Sequence, residues 1–361
     1  MERIEVNRKE LSKALGQVRK TAARKVTFPV LRNVLVDTEE NTLTTTNLSE
    51  TTVRNIEIQK SSENGSRYLI PIDFLLEVVK KVSDDKVTIV IDDNTITEVN
   101  GLHSNTRLDD IDEFPTSPDD MGEFTHICDL TKDIAKTITS LLPRNPVYSK
   151  VYEDSVLFED NKVVSTDGHR IYLASLQVGK TTLVPVTILR IAESLAKEFS
   201  ISSSEKYCQI TFKDVTIRSE NNNVKKYVDY KSVIPEDHDF TEMESNILQV
   251  VNEVTPIFSK DEETPKIKVK LGMNGMEISC ALGDGTVNSK FLSMNLRSFE
   301  EENDTFYLNQ KYFVEALKCF GGKFELGVSK DGPLDKSVIL MKNDVFMVGV
   351  MPFVVQLPDV L

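Results

Sequence analysis

The sequence predicts an α+β fold of six helix-plus-antiparallel-sheet half-units, paired into three similar domains. Three observations predict it. Apolar residues with helical spacing recur at intervals of about 60 residues. Each such stretch is followed by runs rich in β-branched and aromatic residues. Two loop-like stretches, Asp109–Gly122 and Pro235–Asp239, divide the chain. The expected domains are 1–122, 123–240 and 241–361.

In the first half-unit, Leu11, Leu15 and Val18 fall at i, i+4, i+7, one face of a helix within Lys9–Arg24. Strand-like runs follow at Val30–Val36, Leu43–Thr46 and Val53–Ile58. Leu69-Ile70-Pro71 ends a strand and opens a helix containing Phe74, since the N–H that proline lacks would be unpaired at a helix start. Val87–Ile91 and Thr95–Val99 read as its strands. Ile134, Ile138 and Leu141 repeat the first spacing, as do Ile247, Val251 and Val254. Leu183-Val184-Pro185 and Tyr307-Leu308-Asn309 repeat the second pattern, leading to Ile188 and Tyr312, with strands at Tyr207–Phe212 and Val215–Ser219 after the former. Between them, Ser165–Leu173 reads as a hairpin turning at Asp167-Gly168, because glycine takes positive φ without steric cost. His169 and Arg170 then start the returning strand.

No run of about 18 apolar residues exists to span a membrane. Met1–Lys25 is basic and amphipathic, not an apolar signal segment. The four cysteines lie far apart and away from the four histidines, so neither a zinc site nor a disulfide framework is expected, and a reducing cytoplasm suits them. No metal or cofactor is expected. The net charge is −14, yet residues 1–25 hold eight basic and three acidic side chains. Such a protein is not expected to coat DNA generally, but its local basic face can attract a polyanion in one place.

The cations have a pattern. Lys9, Lys13, Lys20 and Arg24 lie opposite the apolar face of the first helix. Lys132 and Lys136, Arg190 and Lys197, and Lys311 and Lys318 recur on three later helices. The helix at Ile247 instead shows Ser245, Gln249 and Asn252. A solvated surface face is the plain alternative to a basic lining.

Catalytic readings fare worse. Gly179-Lys180-Thr181 lacks the earlier glycine of a phosphate loop, Ala174 standing there, and strand residues follow it where a helix is required. The acidic pairs at 92–93, 109–110 and 119–120 sit in turn-like stretches without ligand spacing. Asp167 and His169 have no serine in a nucleophile elbow to serve.

Thr166-Asp167-Gly168-His169-Arg170, with Phe28-Pro29-Val30-Leu31 and Asn33, Phe114-Pro115, Asp229-Tyr230 and Met351-Pro352, resembles the bacterial sliding clamps, the beta subunits of DNA polymerase III. The match covers essentially the whole chain. It implies a DNA-clamp fold with helices inside and sheets outside, closed as a head-to-tail homodimer around duplex DNA. Such a ring is a processivity factor without catalysis, at the replication fork in the cytoplasm. Implied partners are DNA bound without sequence preference, a polymerase, a clamp loader and repair proteins carrying Gln-Leu-x-Leu-Phe-like motifs. No membrane is involved.

The resemblance implies DNA contacts at Lys25, with Arg19, Lys20 and Arg24 beside it, and dimer contacts at Ile257 and Phe258, the complementary edge lying near His103–Leu108. It implies a partner-peptide pocket of Thr166, Gly168, His169, Arg170, Ile171, Val228, Val233, Asn309, Tyr312, Ser337, Met351, Pro352 and Phe353. Glu153 stands where the family has an apolar pocket residue, Val228 replaces a proline, and Ser232 an arginine, which marks a divergent member. Gln356-Leu357 and Leu361, past the usual last strand, faintly resemble the motif the pocket binds. A ring-shaped scaffold that no longer encircles DNA is the competing reading.

Overall fold

The computed structural model describes residues 1–22, 28–115, 118, 120–142, 151–221, 227–234, 238–243, 246–255, 266–272, 274–281, 287–293, 304–321, 323–329, 334 and 336–353. Six times a strand runs into a helix and further strands follow. The first half-unit is β1 (Glu2–Asn7), α1 (Arg8–Val18), β2 (Asn33–Asp37), β3 (Thr42–Thr46) and β4 (Glu50–Asn55), with a short β5 (Gln59–Lys60). The second is β6 (Arg67–Pro71), α2 (Ile72–Lys81), β7 (Lys86–Asp92), β8 (Thr95–Val99) and β9 (Leu102–Arg107). The third is β10 (Thr125–Thr131), α3 (Lys132–Ser140), the short α4 (Val151–Asp154), β11 (Ser155–Glu159), β12 (Lys162–Thr166) and β13 (Arg170–Ser175). The fourth is β14 (Thr182–Pro185), α5 (Val186–Leu195), β15 (Glu198–Ser203), β16 (Tyr207–Phe212) and β17 (Val215–Glu220). The fifth is β18 (His238–Met243), α6 (Asn246–Val254), β19 (Lys266–Gly272), β20 (Gly275–Ala281) and β21 (Val287–Ser293). The sixth is β22 (Asp304–Asn309), α7 (Gln310–Leu317), β23 (Phe324–Ser329), β24 (Ile339–Lys342) and β25 (Phe346–Val350). Each repeat anchor, from Leu11 to Tyr312, falls within the first four residues of a helix.

By internal contacts the chain forms two compact units, Met1–Lys136 with Gly179–Asn223 and Thr137–Val178 with Val224–Leu361. The first unit holds a sheet ordered β5-β1-β7-β8-β9 and a longer one ordered β10-β15-β16-β17-β4-β3-β2-β6. In the latter, β17 pairs antiparallel with β4, Thr216 opposite Val53, so strands distant in sequence cover each other's edges. In the second unit β13 and β25 make the corresponding join within β11-β12-β13-β25-β24-β23-β18, Ile171 opposite Gly349. Its other sheet runs β21-β20-β19-β22.

The helices form where the apolar spacing demands and bury that face. Leu11, Ala14, Leu15 and Val18 of α1 pack against β1, β3 and β4, in one core with Val34, Leu43, Ile89 and Ile96. Each large aliphatic side chain so buried contributes roughly 1.5–3 kcal/mol. Asn7 caps α1 by accepting from the Lys9 and Glu10 N–H groups. Pro71 and Pro185 stand at the N-cap positions of α2 and α5.

Three expectations shift. Phe74 and Tyr312 are only half-buried, because the core face of α2 is Ile72, Leu75 and Val79 and that of α7 includes Phe313 and Leu317, about one helical step away. Val30–Val36 is strand only from Asn33, since Pro29 opens a 3₁₀ turn through Arg32. The Val53–Ile58 strand starts earlier, at Glu50, and ends at Asn55. Among the described residues no helix is long and apolar enough to cross a membrane.

Candidate functional site

The site is built on the turn between β12 and β13, where Thr166 pairs with Ile171. Gly168 takes φ 84°, the left-handed region that favours glycine. The Thr166 hydroxyl donates to the Arg170 carbonyl (2.6 Å) and accepts from the Gly168 N–H (3.1 Å). Asp167 Oδ1 accepts from the His169 and Arg170 N–H groups at 3.0 and 2.8 Å. The turn is closed by its own side chains.

Arg170 then locks the turn to α7. Its guanidinium, with only 5% of the side chain exposed, donates to Asp167 Oδ2 at 3.0 and 2.9 Å and pairs with Glu315. It also lies 4.2 Å from the Tyr312 ring centroid, and Tyr312 stacks at 5.9 Å with His169. Burial pulls the arginine pKa down, but the Asp167 and Glu315 carboxylates outweigh it, so it lies above the ordinary value.

Beside the turn is a cavity of about 200 Å³. Thr166, Gly168, His169, Arg170 and Ile171 form one wall, and Val228, Val233 and Met351 lie on the others. The structure brings these eight expected residues together. Val233 and Met351 are 48% and 36% exposed, which leaves an apolar rim facing solvent. The Met351 N–H donates to the His169 carbonyl (2.9 Å), so the chain after β25 is tied to the turn.

Five expected residues do not line this cavity. Asn309 is buried because its side chain caps α7, accepting from the Lys311 and Tyr312 N–H groups at 3.0 and 3.3 Å. Tyr312 is engaged beneath Arg170 and His169. Ser337 precedes Val338, which takes the wall position instead. Pro352 and Phe353 run on past the rim, where the Phe353 N–H donates to the Tyr307 carbonyl (2.8 Å). Glu153, on α4, and Ser232, whose hydroxyl donates to the Asp229 carbonyl, are also outside the lining.

Tyr230, Val338 and Gly349 line the cavity without having been expected there. Tyr230 was visible as half of the Asp229-Tyr230 motif; burial and Glu159 push its hydroxyl up to about 12, so it stays neutral. Gly349 matters through strand register alone: a Cβ there would meet Ile171 at 2.8 Å and Val338 at 2.9 Å.

Lys9, Lys13, Lys20, Lys132, Lys197, Lys311 and Lys318 are exposed, and none forms an ion pair among the described residues. Lys136 is exposed and Arg190 half-buried. Arg19 is paired with Asp73 at 3.1 Å. Lys13 and Lys197 face one groove of about 890 Å³ in the first unit. Arg24 and Lys25, and the interface residues Ile257 and Phe258, lie outside the described residues, as does the segment 354–361. The edge expected near His103–Leu108 is β9, outermost in its sheet, with Leu102 74% exposed. β21, with exposed Phe291, is an outermost strand in the second unit.

Burial raises the thiol pKa of Cys128 and Cys208 to about 12, which suits packing and not nucleophilic attack. Among the described residues no group of three or more His, Cys, Asp or Glu side chains could hold a metal ion.

Residues 2–118 match the family model described as DNA polymerase III beta subunit, N-terminal domain. A beta sliding clamp of Vibrio cholerae is 25% identical over 337 residues, covering 86% of this chain and 88% of its own. One of Staphylococcus epidermidis is 23% identical over 363 residues, covering 91% and 93%. The solved DNA polymerase III subunit beta of Pseudomonas aeruginosa shares this fold with a TM-score of 0.82 at 19% identity, over 98% of this chain and all of that one (100%).

Proposed function

We infer, because the chain is a divergent member of the DNA polymerase III beta subunit family of sliding clamps, that its copies close head to tail around duplex DNA and tether other proteins to it. It is non-catalytic and acts as a processivity factor on DNA. In this reading the three domains lie near 1–122, 123–240 and 241–361. The cations on and just past the helices face the duplex, contacting phosphates without reading bases, so that the ring slides. The open edges β9 and β21 suit closure by strand addition between copies. The acidic remainder discourages DNA from the exterior. The ring works at the replication fork, loaded by a clamp loader.

One observation carries the tethering role: the apolar cavity against the 166–170 turn, with exposed Val233 and Met351 at its rim. Its small volume suits one or two apolar side chains of a linear motif, not a large cofactor. A labelled Gln-Leu-x-Leu-Phe peptide is expected to bind saturably by fluorescence anisotropy. His169→Ala with Met351→Ala is expected to weaken it by roughly tenfold or more, the loss typical of central anchors. Equal affinity in wild type and variant removes the tethering role from this cavity.

A further inference from the structure

The chain folds the same turn twice, 120 residues apart. In Thr46–Glu50 the Thr46 hydroxyl donates to the Glu50 carbonyl (3.0 Å) and accepts from the Leu48 N–H (3.2 Å). Asn47 Oδ1 accepts from the Ser49 and Glu50 N–H groups at 3.0 and 2.8 Å. These are the bonds of Thr166–Arg170, with Asn47 for Asp167 and Leu48 for Gly168. The next strands correspond as well: Thr51 stands opposite Arg218 across β4 and β17, as Ile171 stands opposite Gly349 across β13 and β25. A second cavity of about 200 Å³ opens there, equal to the first.

The chemistry of the two cradles differs. Where the first has Gly349 on its floor, the second has Arg218; where the first has Met351, the second has Glu220. Arg218 is half-buried, its Nε donates to Gln209 Oε1 (2.9 Å), and no described carboxylate lies within 4.0 Å of it. Burial pulls its pKa below the ordinary arginine value, with no anion to compensate. Leu48 holds φ 82° and is 58% exposed. Glycine or asparagine takes that conformation at lower cost, so an exposed leucine there is an apolar contact kept against backbone preference. Pro118 and Met121 flank the same cavity.

We propose that this cradle is a second peptide site, for a linear segment carrying an apolar residue next to a carboxylate. The carboxylate pairs with Arg218 and the apolar side chain lies between Leu48 on one side and Pro118 and Met121 on the other. Glu220 at the rim disfavours a second acidic group there and so fixes the direction of the segment. This site does not depend on what the first cavity binds.

The probe is a fluorescent, C-terminally amidated Ser-Asp-Leu-Ser peptide, titrated into the full chain by anisotropy. Saturable binding is expected, kept in the His169→Ala, Met351→Ala variant and weakened roughly ten- to hundredfold in Arg218→Gln, the range for a lost charge-assisted bond. Leu48→Gly separates docking from folding: it relieves the backbone, so thermal stability holds or rises while binding falls. Absence of binding to wild type, loss only in the first-cavity variant, or equal binding in Arg218→Gln each overturns the proposal.

Discussion

Replacing Arg170 with alanine is expected to lower the unfolding free energy by about 3 kcal/mol, toward the low end for breaking a buried ion pair because Glu315 retains some solvent contact. The guanidinium satisfies Asp167 Oδ2 and pairs with Glu315 while covering the Tyr312 ring. Its loss leaves Asp167, whose side chain is 14% exposed, with an uncompensated charge inside the turn it closes. Lysine does not restore the arrangement, since an ammonium cannot place two N–H groups on Asp167 Oδ2, as Arg170 Nε and Nη2 do, while also pairing with Glu315 and lying flat over the Tyr312 ring. Urea unfolding of wild type, Arg170→Ala and Arg170→Lys measures the difference, and peptide anisotropy on the same samples should show binding lost with the turn. A change below about 1 kcal/mol would place the pair among ordinary surface ion pairs.

Reversing Lys9, Lys13, Lys20 and Lys197 to glutamate together is expected to weaken duplex binding by at least about a hundredfold at low salt. Each phosphate contact removed takes about 0.9 from the slope of log affinity against log salt, so the slope should fall by roughly 3–4. These lysines are exposed and outside the described ion pairs, and their reversal removes no packing. Stability should therefore change little, and peptide binding at the 166–170 cavity, in the other unit, should persist. Unchanged salt dependence would mean that DNA meets another surface.

Much of the fold is legible because a helix needs apolar residues at one spacing and a strand at another. Leu11, Ile188 and Ile247 announce core helices, and all three are buried. Pattern cannot tell which residue of a helix start faces inward when a strand feeds it directly, so Phe74 and Tyr312 sit one step off the core face. The Asp167-Gly168 turn is readable because its chemistry is local. Its copy at Asn47-Leu48 is hidden, since leucine masks a left-handed position that glycine would advertise. Gly349 enters the cavity through the pairing of β13 with β25, strands about 175 residues apart in sequence, and Val338 through β24, which it precedes and which pairs with β25; no local pattern reveals either. Asn309 has the residue type of a binding group and spends its side chain on the end of α7.

Topological retention on DNA decides between a ring and a scaffold that merely carries basic helices. The protein is incubated at high concentration with a nicked circular duplex and passed through a sizing column, then again after the circle is cut once. A clamp co-elutes with the intact circle at moderate salt and is lost from the linear product, because it slides off the ends. Equal retention on circle and line, or none on either, would contradict encirclement.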